Sequence, residues 1–377
     1  MEKQLHIIAF DIPYPPNYGG VIDVFYKIKS LSESGIKIKL HCFEYNRVHA
    51  PELEKYCEKV YYYKRQTGLL SNLSLQPYIV LSRKNKNLID NLLLDSSPIL
   101  FEGLHSCYYL NDKRLKSRFK IYRESNIEHV YYFHLFLAQK NPIKSIYFLI
   151  ESIRLLLFQR KLKAADLILA VSKKDTSYLQ RCFPSIKVIF LPSFHANMQV
   201  TAEEGIGNYV LYHGNLSVQE NEKAVLFLLK NVFNDLSVRF VIAGLRPSMR
   251  LKKWIAKYPH AELYDSPNEQ TMNNLIRNAH IHTLITFQKT GLKLKLINVL
   301  YSGRFCLCNT PMLWGTDLEQ LCEVANSAIE MKAAVMRLLN ERFSYSNLEN
   351  RTAVLNPIFG NKANSERIIQ LIFSTHN

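Results

Sequence analysis

The chain has 377 residues, 47% hydrophobic and 21% charged, which supplies a sizeable core and excludes a disordered polymer. A formal net charge of +16 favours an anionic partner, whether phosphates, an anionic membrane face or nucleic acid, yet no C2H2 spacing, RNP-like aromatic strand or clear helix-turn-helix signal supports nucleic acid. The seven cysteines (Cys42, Cys57, Cys107, Cys182, Cys306, Cys308 and Cys322) are scattered, odd in number and mostly set in apolar runs, which reads as buried thiols in a reducing compartment rather than a disulfide frame.

From the N-terminus, "MEKQLHIIAFDIPYPP" runs straight into a strand with no signal-peptide h-region. The first strand is read at 5–11, a helix at 21–34 ended by Gly35, and the next strand at 36–43. Further strands are expected at 59–64, 98–103, 119–124, 166–172 and 187–192, with helices near 85–94, 127–139, 143–164 and 173–182. The most apolar stretch, 143–170, is interrupted by Glu151, Arg154, Arg160, Lys161 and Lys163, so it is not a membrane span. A polar, aperiodic segment at 193–208 reads as a linker.

The alternation then restarts. Strands are expected at 209–214, 238–244, 261–265, 281–286 and 304–309, and helices near 219–232, 248–257, 268–278, 292–302 and 327–341. Pro357 is expected to break the chain before a last helix at about 363–374. The expected architecture is α/β, with two doubly wound Rossmann-like domains facing across a cleft. Their expected bounds are 1–197 and 198–356, with 357–377 packing back on the first domain. Cys306 and Cys308 alternate along a strand and share a face, but no second pair of zinc-like spacing follows, so no metal is expected.

Five stretches have the residue types for chemistry. "PYPPNYGG" places Gly19 and Gly20 before the first helix, where backbone N–H groups approach a ligand. It is not a G-x-G-x-x-G fingerprint. "FEGLHS" places Glu102 and His105 at a strand end, as candidate acid–base groups that are more often structural. "YRESNIEHVYY" gathers Asn126, Glu128 and His129 at a helix start, where capping competes evenly with substrate binding. "YHGNLSVQENEKAV" sets Gly214 and Asn215 after the first strand of the second domain. "FQKTGLKLKLIN" puts Thr290, Gly291, Lys293, Lys295 and Asn298 at another helix start. Lysines there are unfavourable beside the helix dipole unless an anion faces them, and Lys295 shares a face with Asn298. A solvated lysine pair is the plainer alternative.

Taken together these stretches resemble the GT-B fold glycosyltransferases of family 4, the retaining, nucleotide-sugar-dependent class, over nearly the whole chain. "PYPPNYGGVIDVFYKIKSLSESGIKIKLHCF", "ADLILAVSKKD", "YVLYHGNLSVQEN" and "GLKLKLINVLYSGRFCLCNT" carry the resemblance, the last as a variant of G-T-R-L-K-I-L-E-A-x-x-x-G-x-P-V-V in which Gly291, Lys295 and Gly303 match. The resemblance implies that Lys295 neutralises a donor phosphate, that Gly19 and Gly20 close on those phosphates, and that Glu128, His129 or His105 act at the reacting sugar. Gly214, Asn215, Thr290, Gly291, Lys293 and Asn298 would complete the donor contacts.

The chain departs from that pattern. The usual two glutamates fall on Thr290 and Asn298, the usual arginine and lysine fall on Asn215 and about Glu220, and the usual N-domain histidine falls on Ser125. The implied function is transfer of a hexose from a UDP- or GDP-linked sugar to a glycan or lipid-linked glycan in surface polysaccharide biosynthesis. No cofactor is implied and, with no Asp-x-Asp in the chain, no metal. The alternatives are a catalytically degenerate GT-B protein with a scaffolding role and, behind it, a nucleotide-sugar epimerase. A cytoplasmic location is expected, with peripheral contact at an anionic inner membrane face through the Lys- and Arg-flanked helix at 143–163.

Overall fold

The computed structural model describes residues 2–68, 74–288 and 292–374. It contains two compact units, one spanning Met1–Ala196 and Phe359–Asn377, the other Asn197–Ile358.

The first unit runs β1 (Gln4–Ile8), α1 (Gly19–Glu33), β2 (Lys37–Glu44), β3 (Lys59–Lys64), α2 (Tyr78–Leu81), α3 (Lys86–Leu92), β4 (Ile99–Glu102), β5 (Lys120–Arg123), α4 (Glu128–Ala138), α5 (Pro142–Gln159), β6 (Leu167–Ala170), α6 (Lys173–Cys182) and β7 (Lys187–Phe190). Its described strands form a parallel sheet in the order β3-β2-β1-β4-β5-β6-β7. The order reverses between β1 and β4, whose register pairs Ile8 with Phe101. Alternating side chains feed two cores: Ile8, Phe101, Tyr122 and Ile168 pack on one face, and Ile7, Leu100, Ile121 and Leu167 on the other.

The second unit runs β8 (Val210–Asn215), α7 (Gln219–Phe227), β9 (Phe240–Leu245), α8 (Met249–Ile255), β10 (Ala261–Asp265), α9 (Glu269–Asn278), β11 (Ile281–Leu284), α10 (Leu294–Ser302), β12 (Phe305–Cys308), β13 (Glu323–Val324), α11 (Ala328–Leu338) and α12 (Tyr345–Phe359). Here the parallel order is β10-β9-β8-β11-β12-β13, reversing between β8 and β11. Gly244 is forced by this pairing, because a Cβ there would meet the Gly214 carbonyl oxygen at 1.8 Å.

Three elements differ from the expected pattern. β13 is only two residues long, too short to carry a period, and joins as an edge strand beside β12. Pro357 lies inside α12 instead of breaking the chain. Leu355 and Phe359 on either side of it are fully buried, and their packing holds the helix across the missing N–H. The long helix expected at 143–164 ends at Gln159 and tightens into a 3-10 turn over Arg160–Ala164. The final helix, α13 (Asn361–Phe373), belongs to the first unit, where Ile368 and Ile372 enter the core beneath α1.

Candidate functional site

In open parallel sheets, ligands bind beyond the carboxyl ends of the strands where the order reverses. Each unit has one such point, and most of the residues singled out in the sequence gather at one or the other.

In the second unit the point lies between the ends of β8 and β11. α10 begins at Leu294, with Lys293 in extended conformation at its N-cap and no side-chain cap bond. Lys295 is therefore in the first turn, beside backbone N–H groups with no intrahelical partner. Its Nζ lies 3.3 Å from the Asn221 carbonyl oxygen of α7 and 5.1 Å from the Tyr212 ring centroid. Asn221 also accepts from the Tyr212 hydroxyl at 3.0 Å and donates to the Asn215 carbonyl at 2.9 Å. Desolvation pulls the Lys295 ammonium down from 10.5 to about 8, against the opposing pull of the Glu220 carboxylate. Such a lysine lacks a full counter-charge and gains from an arriving anion.

Glu220 has an unexpected place. Its Oε1 accepts from the backbone N–H of Phe287 at 3.1 Å and of Gln288 at 3.2 Å, and from the Thr286 hydroxyl. A carboxylate thus occupies the amides of the loop leading to α10. Asn215 caps its own turn by accepting from the Ser217 N–H at 3.1 Å. Gly214 is the penultimate residue of β8, with Asn221 as the neighbour of its open face, and Asn298 sits one turn along α10, partly exposed. Thr290 and Gly291 lie outside the described residues. Fully buried His213, behind Lys295, is held neutral by burial and then by the lysine charge, its pKa lowered to about 3.

In the first unit the point lies between the ends of β1 and β4. Gly19 and Gly20 are the first two residues of α1, and a Cβ on Gly20 would meet the Phe10 ring at 2.7 Å. Phe10 in turn packs on His105 with ring centroids 5.4 Å apart. The loop before α1 is braced by Arg47, which donates to the Ile12 and Pro15 carbonyls at 2.9 Å. His105 Nδ1 stands 3.8 Å from a carboxylate oxygen of Glu128, at the start of α4. Burial raises the Glu128 carboxyl to about 8, the nearby Arg83 charge opposing, and the His105 imidazole is held well below its ordinary value by burial and then by Arg83. Burial thus favours a protonated carboxyl beside a neutral imidazole at neutral pH, an arrangement suited to hydrogen-bonding hydroxyls.

His129 is not part of this pair. It turns to the other side of α4, its Nε2 3.5 Å from the Tyr178 hydroxyl of α6, while its carbonyl accepts from Ser152 of α5. Neighbouring helix positions diverge by about 100°, so Glu128 and His129 cannot share a target. Glu102 is structural: its carboxylate oxygens take Lys27 Nζ at 2.7 and 2.9 Å. Lys27 reaches Asp23 at 3.3 Å, and Asp23 takes Arg123 at 3.2 Å and the Phe194 N–H at 2.7 Å. All four side chains are buried, and the network ties α1 to β4, β5 and the segment after β7. Asn221, Phe10 and Arg83 were missed in the sequence, where nothing but their positions beside loops marks them.

No family model matches the chain. A curated relative, an uncharacterized 44.6 kDa protein in the cps region of Klebsiella pneumoniae, is 25% identical over 346 residues, covering 86% of this chain and 87% of the relative. Among solved structures, a TarM mutant of S. aureus in complex with fondaparinux, alpha-GlcNAc-glycerol and UDP matches at TM-score 0.68 and 10% identity, over 98% of this chain and all of that one. HepE of Anabaena in complex with UDP and glucose matches at 0.67 and 11% identity, over 99% of this chain and 100% of that one. WaaG, a glycosyltransferase involved in lipopolysaccharide biosynthesis, matches at 0.62 and 10% identity, over 98% and 99%. The similarity establishes the fold as that of GT-B proteins, with two parallel-sheet α/β domains.

Proposed function

We propose that the chain is a nucleotide-sugar-dependent hexosyltransferase that acts with retention on a glycan or lipid-linked glycan acceptor in surface polysaccharide biosynthesis. The observation that carries this reading is Lys295: a partly desolvated ammonium in the first turn of α10, at the reversal point of its sheet, hydrogen-bonded among the described residues to the Asn221 side-chain oxygen. A diphosphate there would gain from the lysine, the free N–H groups of the helix start and the helix dipole. As the sugar–phosphate bond breaks, negative charge grows on the leaving diphosphate, and a fixed cation lowers that barrier. The UDP complexes of TarM and HepE and the cps-region origin of the Klebsiella relative support the same reading.

In the first unit, the protonated Glu128 and neutral His105 suit the hydroxyls of a sugar or acceptor. On the same unit, α5 exposes Ile143, Ile146, Ile150, Ile153 and Leu157, a stripe at helical spacing, and α4 exposes Phe133 and Leu137. Exposed Lys140, Lys144, Arg160 and Lys163 surround them. Among the described residues no helix is long and apolar enough to cross a membrane. An apolar stripe with basic flanks fits an anionic bilayer surface, where a lipid-linked acceptor resides.

One observation favours a second reading, a GT-B protein without catalysis. Glu220 already fills the Phe287 and Gln288 amides that a phosphate would otherwise take. Two assays separate the readings: isothermal titration of UDP and GDP into the protein, then nucleotide release from UDP- and GDP-sugars with lipid-linked glycan acceptors. Binding with turnover supports the enzyme. Binding of neither nucleotide, with no release, refutes it and leaves the silent protein.

A further inference from the structure

Cys306 and Cys308 alternate along β12, so both side chains leave the same face of the sheet. The parallel register pairs Leu307 with Glu323 and Cys308 with Val324, which brings Cys322, the residue before β13, opposite Cys306. The three Sγ atoms all lie within 4.8 Å of one another. We propose that Cys306, Cys308 and Cys322, brought together by the β12–β13 pairing, form a thiolate site for a zinc ion.

The geometry suits that ion. Zinc–sulfur bonds of about 2.3 Å in a tetrahedron put sulfurs roughly 3.8 Å apart, so the thiols need close by no more than about 1 Å. Soft thiolates select zinc over magnesium or calcium. Cys306 and Cys308 are buried and Cys322 is partly exposed, giving an entry side. A cavity of about 170 Å³ adjoins the cluster, lined by Cys306, Cys322, Arg337, Glu341 and Arg351 among others. It has room for a water as fourth ligand.

A second observation is independent of the sulfurs. Arg351 is buried, and its guanidinium donates to the backbone carbonyls of Leu300, Gly303 and Arg304. Among the described residues no carboxylate pairs with it, since Glu323 and Glu341 are both taken by Arg337. A buried cation without an anion is costly. Three thiolates around one Zn²⁺ carry a net charge of −1, which Arg351 would balance, the three S–H protons leaving to solvent on binding. The competing account, cysteines as small core hydrophobes, leaves Arg351 with those carbonyls and the Phe343 ring, 4.7 Å from its guanidinium carbon, but with no anion.

The test uses the full chain, reduced, stripped with a chelator and titrated anaerobically with Co²⁺. The expected result is a thiolate-to-cobalt charge-transfer band that saturates near one equivalent and is lost on adding Zn²⁺. Cys322→Ser, at the partly exposed position, should fold as wild type and weaken Co²⁺ binding at least about tenfold. Cys182→Ser, an exposed thiol elsewhere, should leave binding unchanged. No band in the wild type, or an equal band in Cys322→Ser, overturns the site. Cys306→Ser should abolish the band, and should this buried variant fail to fold, the Cys322→Ser result alone decides.

Discussion

Replacing Lys295 by methionine removes the ammonium and keeps most of the stem. The lysine's hydrogen bond is to the Asn221 oxygen at 3.3 Å, and Asn221 keeps its bond to Tyr212 without it. Loss of a long bond from a desolvated amine should change folding stability by less than about 1 kcal/mol. Donor binding should respond far more. A charge-assisted hydrogen bond to phosphate contributes about 1.5–3 kcal/mol, roughly a 10- to 150-fold weakening of UDP binding on its removal. The reaction should lose more, on the order of 10²–10³ in kcat, because charge builds on the leaving group. The pH dependence supplies an internal control. With a pKa of about 8, lowered from 10.5, the unliganded lysine is mostly protonated at pH 7 and mostly neutral at pH 9. The folded state therefore holds fewer protons than the unfolded chain between those two pKa values, so stability from this group rises with pH across that window. Anion binding acts oppositely, since it restores the proton. UDP affinity should fall up to about tenfold from pH 7 to pH 9 in the wild type and stay flat in Lys295→Met. Titration calorimetry at pH 7, 8 and 9 reads both. Equal UDP affinity in the two proteins, or a pH-independent wild type, refutes the phosphate assignment.

Gly20→Val should push the Phe10 ring toward His105 and lower kcat/KM by about tenfold or more with the circular dichroism unchanged, since small misplacements at a reacting centre are costly. Turnover at the wild-type rate would remove the first helix start from the site. Glu128→Gln mimics the protonated carboxyl. The wild type, with its pKa raised from 4.5 to about 8, should lose stability as pH rises from about 5 through 8, while the variant's urea midpoint should stay level. Parallel curves would show that Glu128 is ionised. Glu102→Gln leaves Lys27 buried without its main partner and should cost about 3–5 kcal/mol in denaturant unfolding. A loss under about 1 kcal/mol would mean that the network is hydrated. Ile150→Asp with Ile153→Asp should abolish co-sedimentation with vesicles of anionic phospholipid and leave UDP binding intact. Unchanged sedimentation would point to the basic residues alone.

The strand–helix alternation was legible because periodicity is local: "LHIIAFD", "DLILAVS" and "VRFVIAG" each form one buried strand close to where the pattern places it. So was the lysine anomaly at α10, because a helix start and its charge lie within a few residues. Length likewise pointed to two domains, the alternation to parallel α/β sheets, and the net charge of +16 to an anionic partner. What tertiary structure decided is who meets whom. Glu128 and His129 are neighbours in sequence yet face different helices, whereas Glu128 and His105 meet across two loops. Glu220, read as the place of a missing cation, turns out to hold the amides of a loop 67 residues away. Cys322 joins Cys306 and Cys308 through a two-residue strand too brief to leave a pattern. The physical reason is common to all three: a side chain's direction follows from its own helix or strand, but its partner follows from the order in which parallel strands assemble, and that order is set by packing across the whole sheet.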